Sequence, residues 1–137
     1  MTVKLAEMKD NRRIANLDRH IPPARLDECI EQGQVYVLED TDDSVFGVLR
    51  YSLFWQTIPF LDLIYLNEAY RGSGYGTEMM HKWEYDMKVR GHRYAMTSTQ
   101  ADETAWLFYE KLGYRRVGGF FPPNQDVEEW MYLKELG

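Results

Sequence analysis

A chain of 137 residues, 45% hydrophobic and 15% aromatic, can bury the core of one domain and leaves no room for a second. Its 22 acidic residues against 16 basic ones give a formal charge of −6, which opposes the phosphate-dominated binding of nucleic acid. The longest apolar runs, such as "IPFLDLIYL", fall short of the roughly 20 residues that cross a bilayer, and "MTVKLAEMKD" lacks the apolar core of a signal peptide, so the expectation is a cytoplasmic protein with no membrane partner.

In chain order, "VKLAEM" alternates as a short strand. "PPARLDECIEQG" opens with prolines, carries Leu26, Cys29 and Ile30 at helical spacing and stops at Gly33, which predicts a helix. Cys29 is the only cysteine, so no internal disulfide can form; on the apolar stripe of that helix it reads as a buried structural thiol. "QVYVLED" and "SVFGVLRYSLFW" are β-branched and aromatic runs around an acidic turn and predict a hairpin, with "PFLDLIYL" as the next strand. A loop with glycines at 72, 74 and 76 follows. "GTEMMHKWEYDMKVRG" then places Met79, Met80, Trp83 and Met87 on one helical face and ends at Gly91. "HRYAMTST" predicts a strand, "DETAWLFYEKLG" a helix ending at Gly113, and "RRVGGF" with "VEEWMYLKEL" two closing strands around a Pro-Pro turn. The class is α+β, with a mixed sheet in which the strand, Gly loop, helix and next strand form a parallel crossover.

A loop that feeds a helix start gathers unpaired backbone N–H groups and the positive end of the helix dipole, so an anion such as phosphate is its natural ligand. Glycine lets the anion approach the backbone without an intervening Cβ. A plain strand-to-helix turn would use the same residues. A Walker A loop is excluded, because Gly76 is followed by Thr77 and Glu78 with no lysine, and a dinucleotide-binding fingerprint fails because its third glycine would fall on Thr77.

"RGSGYG" fits the acyl-CoA loop pattern Gln/Arg-x-x-Gly-x-Gly/Ala at Arg71, Gly74 and Gly76, and about thirty residues on "DETAWLFYEKLGY" matches a second motif. In these two motifs and in its element order the chain resembles the GNAT superfamily of N-acyltransferases. The resemblance implies a single domain over residues 1–137, with a GNAT-like central mixed, mostly antiparallel sheet flanked by helices. It implies acetyl-CoA as co-substrate, its pyrophosphate cradled by Arg71, Gly72, Ser73, Gly74, Tyr75, Gly76 and Thr77. Ile64, Tyr65 and Leu66 would pair with the pantetheine arm and supply an oxyanion donor. Asp102 stands where the family often has Asn; its anionic side chain cannot donate the amide hydrogen bond, and capping the helix would account for it.

Acetyl transfer to an amine needs a deprotonated amine, a stabilised oxyanion and a proton for the leaving thiolate. At about 100° per residue, Ala101, Ala105, Phe108 and Leu112 centre the apolar face of the second motif helix and Tyr109 flanks it. The family's general acid matches Tyr109, which also contacts CoA; a packing aromatic is the alternative. Asp62 interrupts an otherwise apolar strand and is the candidate base, with Glu68 as a weaker one; an Asp paired with an Arg would look the same. His20, His81 and His92 show no metal spacing, and no metal is expected. Tyr51, Trp55 and the loop around "DRHIPP" are candidates to line an acceptor pocket. The acceptor expected is a small-molecule or peptide amine, cationic in keeping with the acidic chain. Nothing in the sequence fixes the oligomeric state, and a homodimer is compatible with it. A non-catalytic acyl-CoA sensor is the rival function.

Overall fold

The computed structural model describes residues Met1–Gly137. The elements run β1 (Thr2–Leu5), α1 (Asn11–Leu17), α2 (Pro23–Glu31), β2 (Val35–Glu39), β3 (Val45–Phe54), β4 (Ile58–Leu66), α3 (Tyr75–Val89), β5 (Tyr94–Gln100), α4 (Ala105–Lys111), β6 (Arg115–Phe120) and β7 (Glu129–Glu135). The strands hydrogen-bond in the order β1-β2-β3-β4-β5-β7-β6. Antiparallel pairing joins β1 to β2, β2 to β3, β5 to β7 and β6 to β7, while β4 and β5 run parallel with Phe60 opposite Met96 and Leu61 opposite Thr97. This is the mixed, mostly antiparallel sheet expected from the sequence, with the parallel crossover through α3.

Near the N-terminus two elements differ from expectation. The first strand stops at Leu5, because Met8–Asp10 form a 3-10 turn stabilised by a reciprocal capping box between Glu7 and Asp10. Helix α1 has no counterpart in the sequence pattern; only Ile14 of its seven residues is buried, so its sequence carries too short an apolar stripe to be read.

By internal contacts the chain divides into residues 1–52 with 62–85, and residues 53–61 with 86–137. In the first unit, Ile14, Leu26, Ile30, Val35, Val37 and Val48 form one core cluster, built from α1, α2, β2 and β3. Met79, Met80 and Trp83 of α3 are fully buried, and the Trp83 ring lies 5.7 Å from that of Tyr51. Strands β2 and β3 are thus covered on both faces, which is why they read as largely apolar runs. In the second unit, Ala95, Thr97, Thr99, Tyr109, Tyr114 and Tyr132 are buried around β5 and β7, and Trp106 meets Trp130 edge-on at 6.4 Å.

One strand residue sets how closely α3 approaches the sheet. A Cβ on Gly47 would stand 2.7 Å from Leu66 Cδ2, 3.2 Å from Leu38 Cβ and 3.3 Å from Met79 Sδ. Leu66 ends the strand before the glycine loop and Met79 lies in the helix after it, so this contact helps place the loop. Gly47→Val should therefore lower stability by about 1–3 kcal/mol, the usual range for overpacking, seen as a lower urea midpoint with an unchanged slope.

Candidate active site

The loop after β4 is fixed before it reaches its glycines. The Asn67 N–H donates to Phe46 O at 2.8 Å, and Asn67 Oδ1 caps the short turn Glu68–Tyr70 by accepting from the Ala69 N–H at 3.3 Å. The Tyr70 ring stacks on Phe46 with centroids 4.2 Å apart. Arg71 donates through Nε to Leu66 O at 2.9 Å, and its guanidinium lies 5.2 Å from the Tyr65 ring centroid. Arg71 is thus a latch between the strand end and the loop.

Gly72 and Gly74 then adopt φ of +80° and +89°, a left-handed region that side chains resist, and a Cβ on either would meet no atom within 4 Å. The Glu78 N–H donates to Gly74 O at 3.0 Å, so Tyr75, Gly76 and Thr77 precede the first full helical bond and their N–H groups lie at the open N-terminus of a 15-residue helix. Gly72, Ser73 and Gly74 are exposed. Exposed donors, open space over two glycines and the positive end of α3 fit an anion such as the CoA pyrophosphate.

Asp62, on β4 in the same unit, does have an arginine partner. Arg50 Nη1 lies 3.8 Å from Asp62 Oδ2, and Arg50 Nε donates to Asp18 Oδ2 at 2.7 Å. Burial pushes the Asp62 carboxyl above the ordinary carboxylate range; a Ser52 hydrogen bond and Arg50 oppose the rise, and Asp18 adds to it. Sequence reasoning missed Asp18 and Arg50. The available signal was a lone cation within the apolar run "SVFGVLRYSLFW", which requires a buried anion.

Tyr109 belongs to the second unit. The expected face of its helix needs correction: α4 begins at Ala105, so Ala101 and Asp102 do not lie on it, and the centre of the buried side moves to Tyr109, only 6% exposed. Asp102 is exposed and does not cap the helix; Thr104 holds that position. The Tyr109 ring packs 6.0 Å from Tyr114 and 6.5 Å from Tyr132. Its hydroxyl is hydrogen-bonded to the Thr97 side chain, and Thr97 Oγ1 donates to Leu61 O at 3.1 Å. Burial, with smaller contributions from Glu103 and Glu129, pushes the phenol up to about 12 against the opposing Thr97 bond.

Among the other candidates, Tyr51 is buried and donates to Gly33 O at 3.3 Å, whereas Trp55 is 79% exposed on the β3–β4 turn. Cys29 is half-buried beside the first core, with its thiol raised chiefly by burial. His20 and His81 are exposed and His92 is half-buried. No helix is long and apolar enough to cross a membrane.

A model of the acetyltransferase (GNAT) family matches residues 5–114. Among curated protein sequences none matches. Solved structures similar to this chain include the NatB acetyltransferase complex bound to CoA and MES, at 14% identity and TM-score 0.84 over 100% of both chains. Ard1 from Thermoplasma volcanium is similar at 16% identity and TM-score 0.85, over 98% of this chain and 96% of that one. An aminoglycoside 6'-N-acetyltransferase complexed with coenzyme A is similar at 18% identity and TM-score 0.81, over 100% of this chain and 98% of the other. At such identities the likeness shows the fold.

The Tyr109 environment has a pH signature. Its folded-state value of about 12 lies above the usual 10 of an unfolded chain, so below pH 10 neither state ionises it, and between 10 and 12 only the unfolded state releases the proton. Stability should fall over that window by up to about 1.4 kcal/mol per pH unit. The loss should be smaller in Tyr109→Phe, as read from urea midpoints of the two proteins against pH.

Proposed function

Because the chain belongs to the acetyltransferase (GNAT) family, we propose that it is an acyltransferase that moves an acetyl group from acetyl-CoA to a primary amine by direct attack in a ternary complex. Residues 1–137 form one such domain on this reading. The observation that carries it is the loop: two positive-φ glycines with open space where a Cβ would stand, leading into the free N-terminus of α3. Gly72 to Thr77 hold the pyrophosphate, and Arg71 keeps the loop fastened to Leu66. Ile64, Tyr65 and Leu66 offer backbone groups to the pantetheine arm and the developing oxyanion; the β4–β5 register has ended at Leu61.

Asp62 takes a proton from the acceptor ammonium, and the neutral nitrogen attacks the thioester carbon. The C–N bond forms and an oxyanion develops; its collapse breaks the C–S bond, and Tyr109 gives its proton to the departing sulfur. The second nitrogen proton restores the phenol, and the Asp62 proton returns to solvent. The products are an N-acetyl amine and free CoA. The acceptor is a small-molecule or peptide amine, with a cytoplasmic enzyme as the setting.

A panel of polyamines, amino sugars and peptide amines, assayed for CoA release from acetyl-CoA, tests the reaction. Turnover with at least one amine is expected, and a saturating acetyl-CoA concentration should raise Tm. Tight binding of acetyl-CoA with no turnover on any amine would replace the enzyme by a sensor. Tyr109→Phe should lower kcat by about 100-fold or more with little effect on CoA affinity, the scale of general acid catalysis. Gly74→Val, measured by calorimetric titration with CoA, should weaken binding in a protein that still folds; unchanged affinity would make the loop a plain turn.

A further inference from the structure

Asp18 and Arg50 are a buried ion pair for which the reaction as described has no use. Asp18 follows α1 and its side chain is fully inaccessible, Arg50 sits mid-strand in β3 with its side chain 11% exposed, and Asp62 keeps 27% of its side chain in solvent. The Asp18 carboxylate is held twice: Oδ2 accepts from Arg50 Nε at 2.7 Å and Oδ1 accepts from the His20 N–H at 3.2 Å. A buried ion pair is weak evidence for stability, since apolar residues of similar volume serve as well or better, so its presence beside a candidate base calls for another role.

The charges order themselves along the array. Asp18 neutralises Arg50, and Asp62 is the surplus negative charge at its solvent-facing end. Arg50 reaches Asp62 with Nη1 while Nε is fixed on Asp18, so the position of the guanidinium is set from the buried side. Ser52, on β3, hydrogen-bonds the Asp62 carboxylate, and Cys29, on α2, interacts with both Arg50 and Asp62 but is kept in its neutral thiol form by burial. The charged groups acting on Asp62 are therefore Arg50 and, behind it, Asp18.

We propose that Asp18 and Arg50 are positioning residues for acyl transfer: Asp18 anchors the guanidinium, and the guanidinium holds the Asp62 carboxylate ionised and oriented to meet the acceptor ammonium. The inference rests on the reading of Asp62 as the base. It makes the two members of one ion pair act on Asp62 with opposite sign. Arg50 favours the carboxylate and Asp18 disfavours it. A base works only when deprotonated, so the acid limb of kcat/KM follows the Asp62 carboxyl.

The experiment measures that limb with the best acceptor in the wild type, Asp18→Asn, Arg50→Gln and Asp62→Asn. Asp18→Asn should move the limb to lower pH and Arg50→Gln to higher pH, each by about half a unit, or roughly threefold in kcat/KM on the limb. If Arg50→Gln leaves Asp18 too poorly paired to fold, Asp18→Asn/Arg50→Gln replaces it. That double variant should also move the limb upward, because Arg50 acts on Asp62 more strongly than Asp18 does. Carboxylate NMR of Asp62 should show the same opposite shifts without turnover. A merely structural pair would lower activity in both variants and leave the limb in place. Unmoved limbs, or limbs that move the same way, with Asp62→Asn still inactive, would overturn the positioning role alone. Full activity in Asp62→Asn would overturn the base assignment and the positioning role with it.

Discussion

The first turn of an α-helix cannot satisfy its own N–H groups, and the arrangement between β4 and α3 follows from that constraint. Gly74 supplies the acceptor for the first full helical bond while its φ of +89° turns the chain into the helix, a geometry that L side chains resist. A loop with this much conformational freedom needs external fixation. It comes from the strands behind it: Asn67 on the Phe46 carbonyl, Tyr70 on the Phe46 ring and Arg71 on the Leu66 carbonyl. Gly47 contributes by lacking a side chain, since any Cβ there would crowd Leu66 and Met79 on either side of the loop. A glycine in a strand and glycines in a loop thus serve one geometry, a helix terminus with its donors uncovered.

A second constraint, the cost of an unpaired charge in the interior, shapes the face of β3 that looks the other way. Arg50 shares by strand alternation the side of Val48, which packs into the cluster of Ile14, Leu26 and Ile30. A guanidinium there must bring its own anion, and Asp18 at the end of α1 provides it. The short helix α1, which has little apolar stripe of its own, thereby acquires a polar tie to the centre of the sheet. The same pairing leaves Asp62 with only a loose, 3.8 Å hold on the cation, and so with capacity for a second one.

These two constraints also explain what could be read from the sequence. The glycine loop, α3 and the succession of strands along the chain were legible because each is written locally, in the alternation of β-branched residues, in Met79, Met80 and Trp83 at helical spacing, and in glycines at 72 and 74. The unseen ion pair is non-local. The Asp18–Arg50 bond spans 32 positions, and neither residue sits in a motif that announces the other. Tyr109 falls beside the apolar face only if Ala101 and Asp102 are helical. The chain turns through 101–104 before α4 begins, and seven helical residues are too few for periodicity to fix a face. The capping box of Glu7 and Asp10 ended β1 early, where alternation alone would have continued it.

The burial of Tyr109 has a consequence for the proposed proton transfer. A phenol at about 12 is fully protonated at neutral pH, as a donor must be, but it lies ~3.5 units above a thiol of ordinary pKa near 8.5. Complete transfer to a free thiolate would then be uphill by ~5 kcal/mol. The phenol is therefore suited to donating a hydrogen bond that shortens as the C–S bond lengthens, with the nitrogen-bound proton of the adduct replacing its own before a free phenolate exists. Burial is what favours the protonated form at rest, and the Thr97 bond works against it. On the proposed mechanism, the burial that makes Tyr109 a poor free acid would tie proton donation to the bond-breaking step and to the presence of an amine on the adduct.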